Sequence, residues 1–122
     1  MTASSNDSGP FRLPLAPAAT DLVAKYFRGF GDPTRLRILQ LLRDEGELSV
    51  GTLVERLGLP QPNVSNHLAC LRWCGFVEAE REHRTVYNRI ADDRVVQMLE
   101  LAEALLADNA EHVAACCRIA DD

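Results

Sequence analysis

Leu22, Val23, Tyr26, Phe27 and Phe30 recur three and four residues apart, the period of a helix with one apolar side, and Thr20 and Asp21 stand where its cap belongs. Gly29 and Gly31 close that helix. Asp32-Pro33 restarts the chain, a cap acceptor followed by proline at the first helical position. Leu36, Ile38, Leu39, Leu41 and Leu42 then form a broad apolar stripe as far as Gly46. Ser49 heads a short helix with Val50, Leu53, Val54 and Leu57 inward, ended by Gly58. The next helix is predicted from about Gln61 to about Cys74, with Val64, Leu68 and Leu71 on one side. Two short helices across a tight glycine turn make a helix-turn-helix.

After Gly75 the period shortens to about two. Residues 76–80 and 85–90 read as strands joined around Arg81 to Arg84, a β-hairpin. Asp92 is placed to cap a last helix with Val95, Met98, Leu99, Ala102, Leu105 and Leu106 on a wide apolar face. The predicted fold is mainly α with a β-hairpin, in the order α-α-α-α-β-β-α, a winged helix-turn-helix. Residues 1–18, rich in Ser, Pro and Ala, read as a flexible arm, 19–107 as the DNA-binding and dimerisation domain, and 108–122 as a cysteine-bearing tail.

Length narrows the function. At 122 residues the chain has room for one domain and short tails. No apolar run is long enough for a membrane span, and the first twenty residues have neither the basic start nor the apolar stretch of an export signal. A soluble cytoplasmic protein with no membrane partner is the expectation. No phosphate-cradling glycine loop, H-E-x-x-H or G-x-S-x-G occurs, and Ser65 and His67 lack a supporting acid, so neither an enzyme nor a small organic substrate is expected.

The net charge of −5 argues against nucleic acid until its distribution is considered. Residues 91–122 hold eight acidic side chains and two arginines, which leaves the preceding ninety slightly basic, with Lys25, Arg28, Arg35, Arg37 and Arg43 close together. One face is therefore open to a polyanion. A helix that reads base edges needs short amide and hydroxyl side chains near its start. Gln61, Asn63 and Asn66 point away from the apolar side, and Gln and Asn pair with adenine through two hydrogen bonds. Ser65, Thr52, Arg81, His83 and Arg84 are candidate phosphate contacts. Singly, each is as well explained by solvation; a charged hairpin directly after a helix-turn-helix points to double-stranded DNA. A winged module used only for protein contacts is the alternative, separated by its lack of salt-dependent DNA affinity.

Cys70 and Cys74 stand four apart on the predicted reading helix, so both sulfurs lie on one side of it. They sit off the Val64/Leu68/Leu71 axis, which makes them poor core fillers. Thiolates select soft or borderline ions. Cys116 and Cys117 follow the last helix, and one of this adjacent pair is the expected third ligand, with either open. Small buried hydrophobes, a closed four-cysteine zinc site and thiol oxidation by peroxide are the rival readings. His67, one turn from Cys70, is expected to pack within the domain more readily than to ligate; as ligands His83 and His112 are set aside as solvated.

The stretch Phe30-Gly31-Asp32-Pro33-Thr34-Arg35-Leu36-Arg37-Ile38-Leu39 resembles the second-helix signature of the ArsR/SmtB repressors. Residues 61–68, with Leu71-Arg72 and Gly75-Phe76-Val77, resemble their recognition helix and wing entry, over about residues 20–107 in all. The resemblance implies a homodimer formed by the first and last helices, which represses a metal-resistance operon and leaves operator DNA on binding metal. Pro60 departs from the Ser or Thr cap frequent in that family. Ser49 and Gly51 stand where many relatives carry the helix-three cysteine pair, and Arg94 follows Asp92 where the last-helix site needs histidine, so both of those sites are missing. Residues 65–75 resemble the cadmium- and lead-sensing CmtR type, which implies a three-sulfur site of Cys70, Cys74 and one of Cys116 or Cys117. Its inducer would be Cd²⁺ or Pb²⁺, with Hg²⁺ and As³⁺ as alternatives.

Overall fold

A computed structural model describes residues 19–116. The predicted arm of residues 1–18, and Cys117 with the residues after it, lie outside them. The chain forms α1 (Ala19–Phe30), α2 (Pro33–Glu45), β1 (Leu48–Ser49), α3 (Val50–Leu57), α4 (Gln61–Trp73), β2 (Val77–Glu82), β3 (Thr85–Ile90) and α5 (Asp93–Ala115). It is a winged helix-turn-helix, with the three strands in the antiparallel order β1-β3-β2.

Local chemistry sets the boundaries. Asp32 accepts a hydrogen bond from the Arg35 amide at 2.9 Å and starts α2 with Pro33 in its first turn. Ser49 caps α3 by accepting from the Thr52 amide. Gly58 ends α3 in the left-handed region, at φ 69°, which costs a residue without Cβ nothing. Pro60 precedes α4 and supplies no side-chain cap. The far end of α4 is closed by its backbone: the Phe76 amide donates to Leu71 O at 2.9 Å and the Gly75 amide to Arg72 O at 3.0 Å, with Gly75 at φ 80°. That double bond pattern satisfies carbonyls that a helix end leaves free, and it turns the chain into the wing.

The core lies under α2, α3 and α4. Ile38, Leu39, Leu53, Val64, Leu68, Leu71 and Phe76 are fully buried, and Val95 and Leu99 join α5 to them. The Phe76 ring stacks at an angle on Phe30 (centroids 4.3 Å apart) and Tyr26 (4.7 Å), fastening α1 to the α4–β2 connection.

Three details differ from expectation. The two-residue β1 pairs Leu48 with Asn88 and Ser49 with Tyr87, a strand too short for periodicity to reveal. The hairpin is tighter than predicted. β2 runs to Glu82, opposite Thr85, so the turn is His83-Arg84 and Arg81 belongs to the strand. Phe76 helps to close α4 and lies outside the strand. Finally, α5 extends to Ala115 with non-helical angles at Asn109, where the Asn109 side chain donates to the Leu105 carbonyl at 2.9 Å. None of the described helices is long and apolar enough to cross a membrane.

Candidate metal and nucleic-acid sites

The reading face of α4 is built by what its other face buries. With Val64, Leu68 and Leu71 in the core, Gln61, Asn63 and Asn66 are exposed and Ser65 is half-buried. Thr52 sits in the first turn of α3, where its hydroxyl accepts from Ser49 Oγ at 3.0 Å, so it is partly committed to the cap. At the wing, Arg81, His83 and Arg84 are exposed, and neither arginine makes an ion pair among the described residues. His83 holds φ 59°, the left-handed conformation with which it makes the tight turn. Arg89 by contrast is engaged by Glu47, Glu78 and Glu80 at 2.8–3.0 Å on one side of the wing. The strand alternation puts Arg81 on the other side.

The cysteine pair lies where α4 meets α1. Cys70 and Cys74 are both partly buried free thiols, and the Cys74 amide donates to Cys70 O across the last turn of α4. A methyl group placed on Gly29, near the end of α1, would stand 3.4 Å from Cys74 Sγ and 3.4 Å from the Phe76 ring. Cys74 therefore packs against the core margin more closely than its position on the helical wheel suggested. Burial pushes its thiol above the ordinary range, and the neighbouring Cys70, by charge and by hydrogen bond, adds to the rise. A raised thiol opposes the loss of the proton that both oxidation by peroxide and ligation of a metal require.

Cys116 is partly buried just after α5, its amide donating to Val113 O. Among the described residues no three His, Cys, Asp or Glu side chains gather as a metal ion would require, so Cys116 does not join Cys70 and Cys74 within one chain as it stands. The donor chemistry of the helix pair still fits a soft ion: two sulfurs, one turn apart, with no competing carboxylate on that turn.

His67 is held instead of free. Its Nδ1 lies 3.4 Å from Arg35 Nη1 and 3.8 Å from Asp32 Oδ2. Arg35 also donates through Nε to Gly29 O at 2.8 Å and through Nη2 to Arg28 O at 3.1 Å. In the sequence Arg35 stands in a basic stretch and within the second-helix signature, neither of which gives its partners. Its place three residues after a capping Asp-Pro was the available signal that it faces back to the preceding helix.

Two helices leave apolar faces uncovered. Leu22, Val23, Tyr26 and Phe27 of α1 and Leu101, Leu105, Leu106 and Val113 of α5 are all exposed, Phe27 at 58% and Leu105 at 63%. An apolar surface of this kind is characteristic of a protein–protein interface.

Comparison with known proteins bears on this arrangement. Residues 32–79, from the cap of α2 into β2, match the model of the bacterial regulatory proteins of the arsR family. A probable mercury resistance operon repressor of Streptomyces lividans is 42% identical over 99 residues, covering 81% of this chain and 78% of the repressor. The transcriptional regulator CmtR of Mycobacterium bovis is 46% identical over 86 residues, covering 70% of this chain and 72% of CmtR. Among solved structures, the homodimeric winged helix-turn-helix DNA-binding domain of a possible ArsR-family regulator from Mycobacterium bovis superposes with a TM-score of 0.69. It is 30% identical, and the match covers 80% of this chain and 95% of that domain.

Proposed function

The chain belongs to the arsR family of bacterial regulatory proteins, and from that premise we propose that it is a repressor whose apo homodimer holds operator DNA and releases it on binding a soft metal ion, Cd²⁺ or Pb²⁺. The dimer pairs the apolar faces of α1 and α5. Each α4 enters a major groove, where Gln61, Asn63 and Asn66 read base edges. Thr52, Ser65, Arg81, His83 and Arg84 hold phosphates.

The observation that carries the metal reading is the Cys70–Cys74 pair on the helix that reads DNA, with Cys74 against the end of α1. Such an ion supplies a strong bond to thiolate sulfur, for which Cys74 must give up its proton. Cys116 or Cys117 is the third ligand. By joining the pair, the tail is drawn towards α4 and holds that helix in an orientation less suited to the groove. Coupling of this kind is reciprocal, so DNA weakens metal binding by the same factor. The 42% identity with a mercury resistance operon repressor favours Hg²⁺ as the second reading of the same site.

Anaerobic titration of the reduced protein with Cd²⁺, followed by sulfur-to-metal charge-transfer absorption, tests the site. The expected result is an intense band saturating near about one ion per chain, lost in Cys70→Ser, in Cys74→Ser and in one of Cys116→Ser and Cys117→Ser. A band indifferent to Cys70 and Cys74 refutes it.

A further inference from the structure

We propose that Arg35 is the positioning residue through which the Cys70/Cys74 pair acts on the reading helix, an inference that rests on the metal-sensing function above. An α-helix ends with carbonyls that lack partners within it. At the end of α1 Arg35 donates to the carbonyl of Gly29 at 2.8 Å and to that of Arg28 at 3.1 Å, the latter shared with the Gly31 amide. The remaining edge of the same guanidinium faces His67 Nδ1 at 3.4 Å, midway along α4. Arg35 carries only donors, so in this contact His67 Nδ1 is the acceptor. Asp32 accepts from the Arg35 backbone amide at 2.9 Å, and its carboxylate stands 3.8 Å from His67 Nδ1.

One planar side chain thus joins the last turn of α1 to α4. Gly29 is the shared element. Its carbonyl lies in the Arg35 fork, and its Cα side lies against Cys74 Sγ. When Cys74 turns to share an ion with Cys70, its contact with Gly29 changes, and the carbonyl held by Arg35 moves with Gly29. His67 is three residues before Cys70 and one after Asn66 on the same helix. A displacement passed through Arg35 therefore reaches α4 at the turn that carries the base-reading amides. Lysine cannot replace this link, because a single ammonium offers no rigid fork for two carbonyls and an imidazole together.

The test uses the reduced full-length chain, Arg35→Lys and His67→Gln, with a DNA duplex selected from random sequence by the apo protein. Two quantities are read for each: the Cd²⁺ charge-transfer titration, and the factor by which Cd²⁺ weakens duplex affinity. Both variants are expected to bind Cd²⁺ with the wild-type band and stoichiometry and to keep apo DNA affinity within about threefold, while the Cd²⁺-dependent factor falls from the roughly 5–150-fold range typical of coupled sites to about twofold or less. Variants that retain the full wild-type factor overturn the role of Arg35 and leave metal sensing intact. Loss of the Cd²⁺ band in a folded variant also overturns it, by placing the residue in the metal site itself. A wild-type protein whose DNA affinity ignores Cd²⁺ removes the metal-sensing function, and this proposal with it. Should Arg35→Lys lose its helical circular dichroism, His67→Gln, which leaves the clamp on α1 in place, decides the matter alone.

Discussion

Asp92 serves the start of α5 twice, accepting from the Arg94 amide at 2.8 Å and pairing with the Arg94 guanidinium at 2.7 Å. The Arg94 side chain foremost, and its amide next, lower the Asp92 carboxyl from 3.8 to about 2. A depressed carboxyl stabilises the fold wherever it is ionised, so the contribution is complete above about pH 4 and fades as pH falls towards 2. Urea midpoints measured between pH 4 and 2 should fall less steeply for Asp92→Asn, which keeps the cap acceptor but not the charge; equal slopes would contradict the assignment. This cap was legible in the sequence, because Asp directly before a helical period has one common use. The Arg35 link was not, since which neighbour a long cationic side chain reaches depends on how two helices pack. The same limit applied to Cys74. A helical wheel gives the direction of a sulfur within its own helix and says nothing about the bare Gly29 that approaches it.

At the scale of elements, the proposed function assigns base reading to α4 and phosphate contacts to the wing. Apolar spacing predicted α4 within a residue at its end, because three fully buried side chains on one face leave little choice of register. The wing was predicted as a hairpin with too long a turn, since Arg81 to Arg84 hold no apolar residue to mark a strand. Its extent is set by pairing with β3, a tertiary matter that also decides β1. The two elements should respond differently to substitution. Asn63→Ala should cost about 1–3 kcal/mol on the preferred duplex and relax the preference at one base position, whereas Arg84→Ala should weaken all duplexes alike and reduce the salt slope by about 1. Fluorescence anisotropy across a salt series distinguishes these outcomes, and a uniform loss from Asn63→Ala would remove it from base reading.

Among the described residues of the whole molecule, α1 and α5 carry apolar faces that the rest of the fold leaves exposed. Arg43 and Gln40 of α2 hold Glu103 at 2.8 and 3.1 Å, which sets α5 against the body while Leu101 and Leu105 stay exposed. Phe27→Glu combined with Leu105→Glu should give a folded monomer by sedimentation, with operator affinity reduced at least about tenfold because one half-site is lost; a dimer that survives both changes would place the interface elsewhere. From the sequence the apolar face of α5 was visible, but which part would meet the core and which a second chain was not. The division falls after Leu99, the last α5 residue in the core cluster. The charge asymmetry was legible at this scale too, and it tempered a net charge that alone pointed away from DNA. The central claim joins these surfaces: thiols on the reading helix govern its hold on DNA. Its most direct test is the equilibrium affinity of the reduced wild-type dimer and of Cys74→Ser for the selected duplex, with and without Cd²⁺. Wild-type affinity should fall by about 5–150-fold with Cd²⁺ while Cys74→Ser stays unchanged; equal affinities with and without the ion in the wild type, or an equal fall in both proteins, would contradict it.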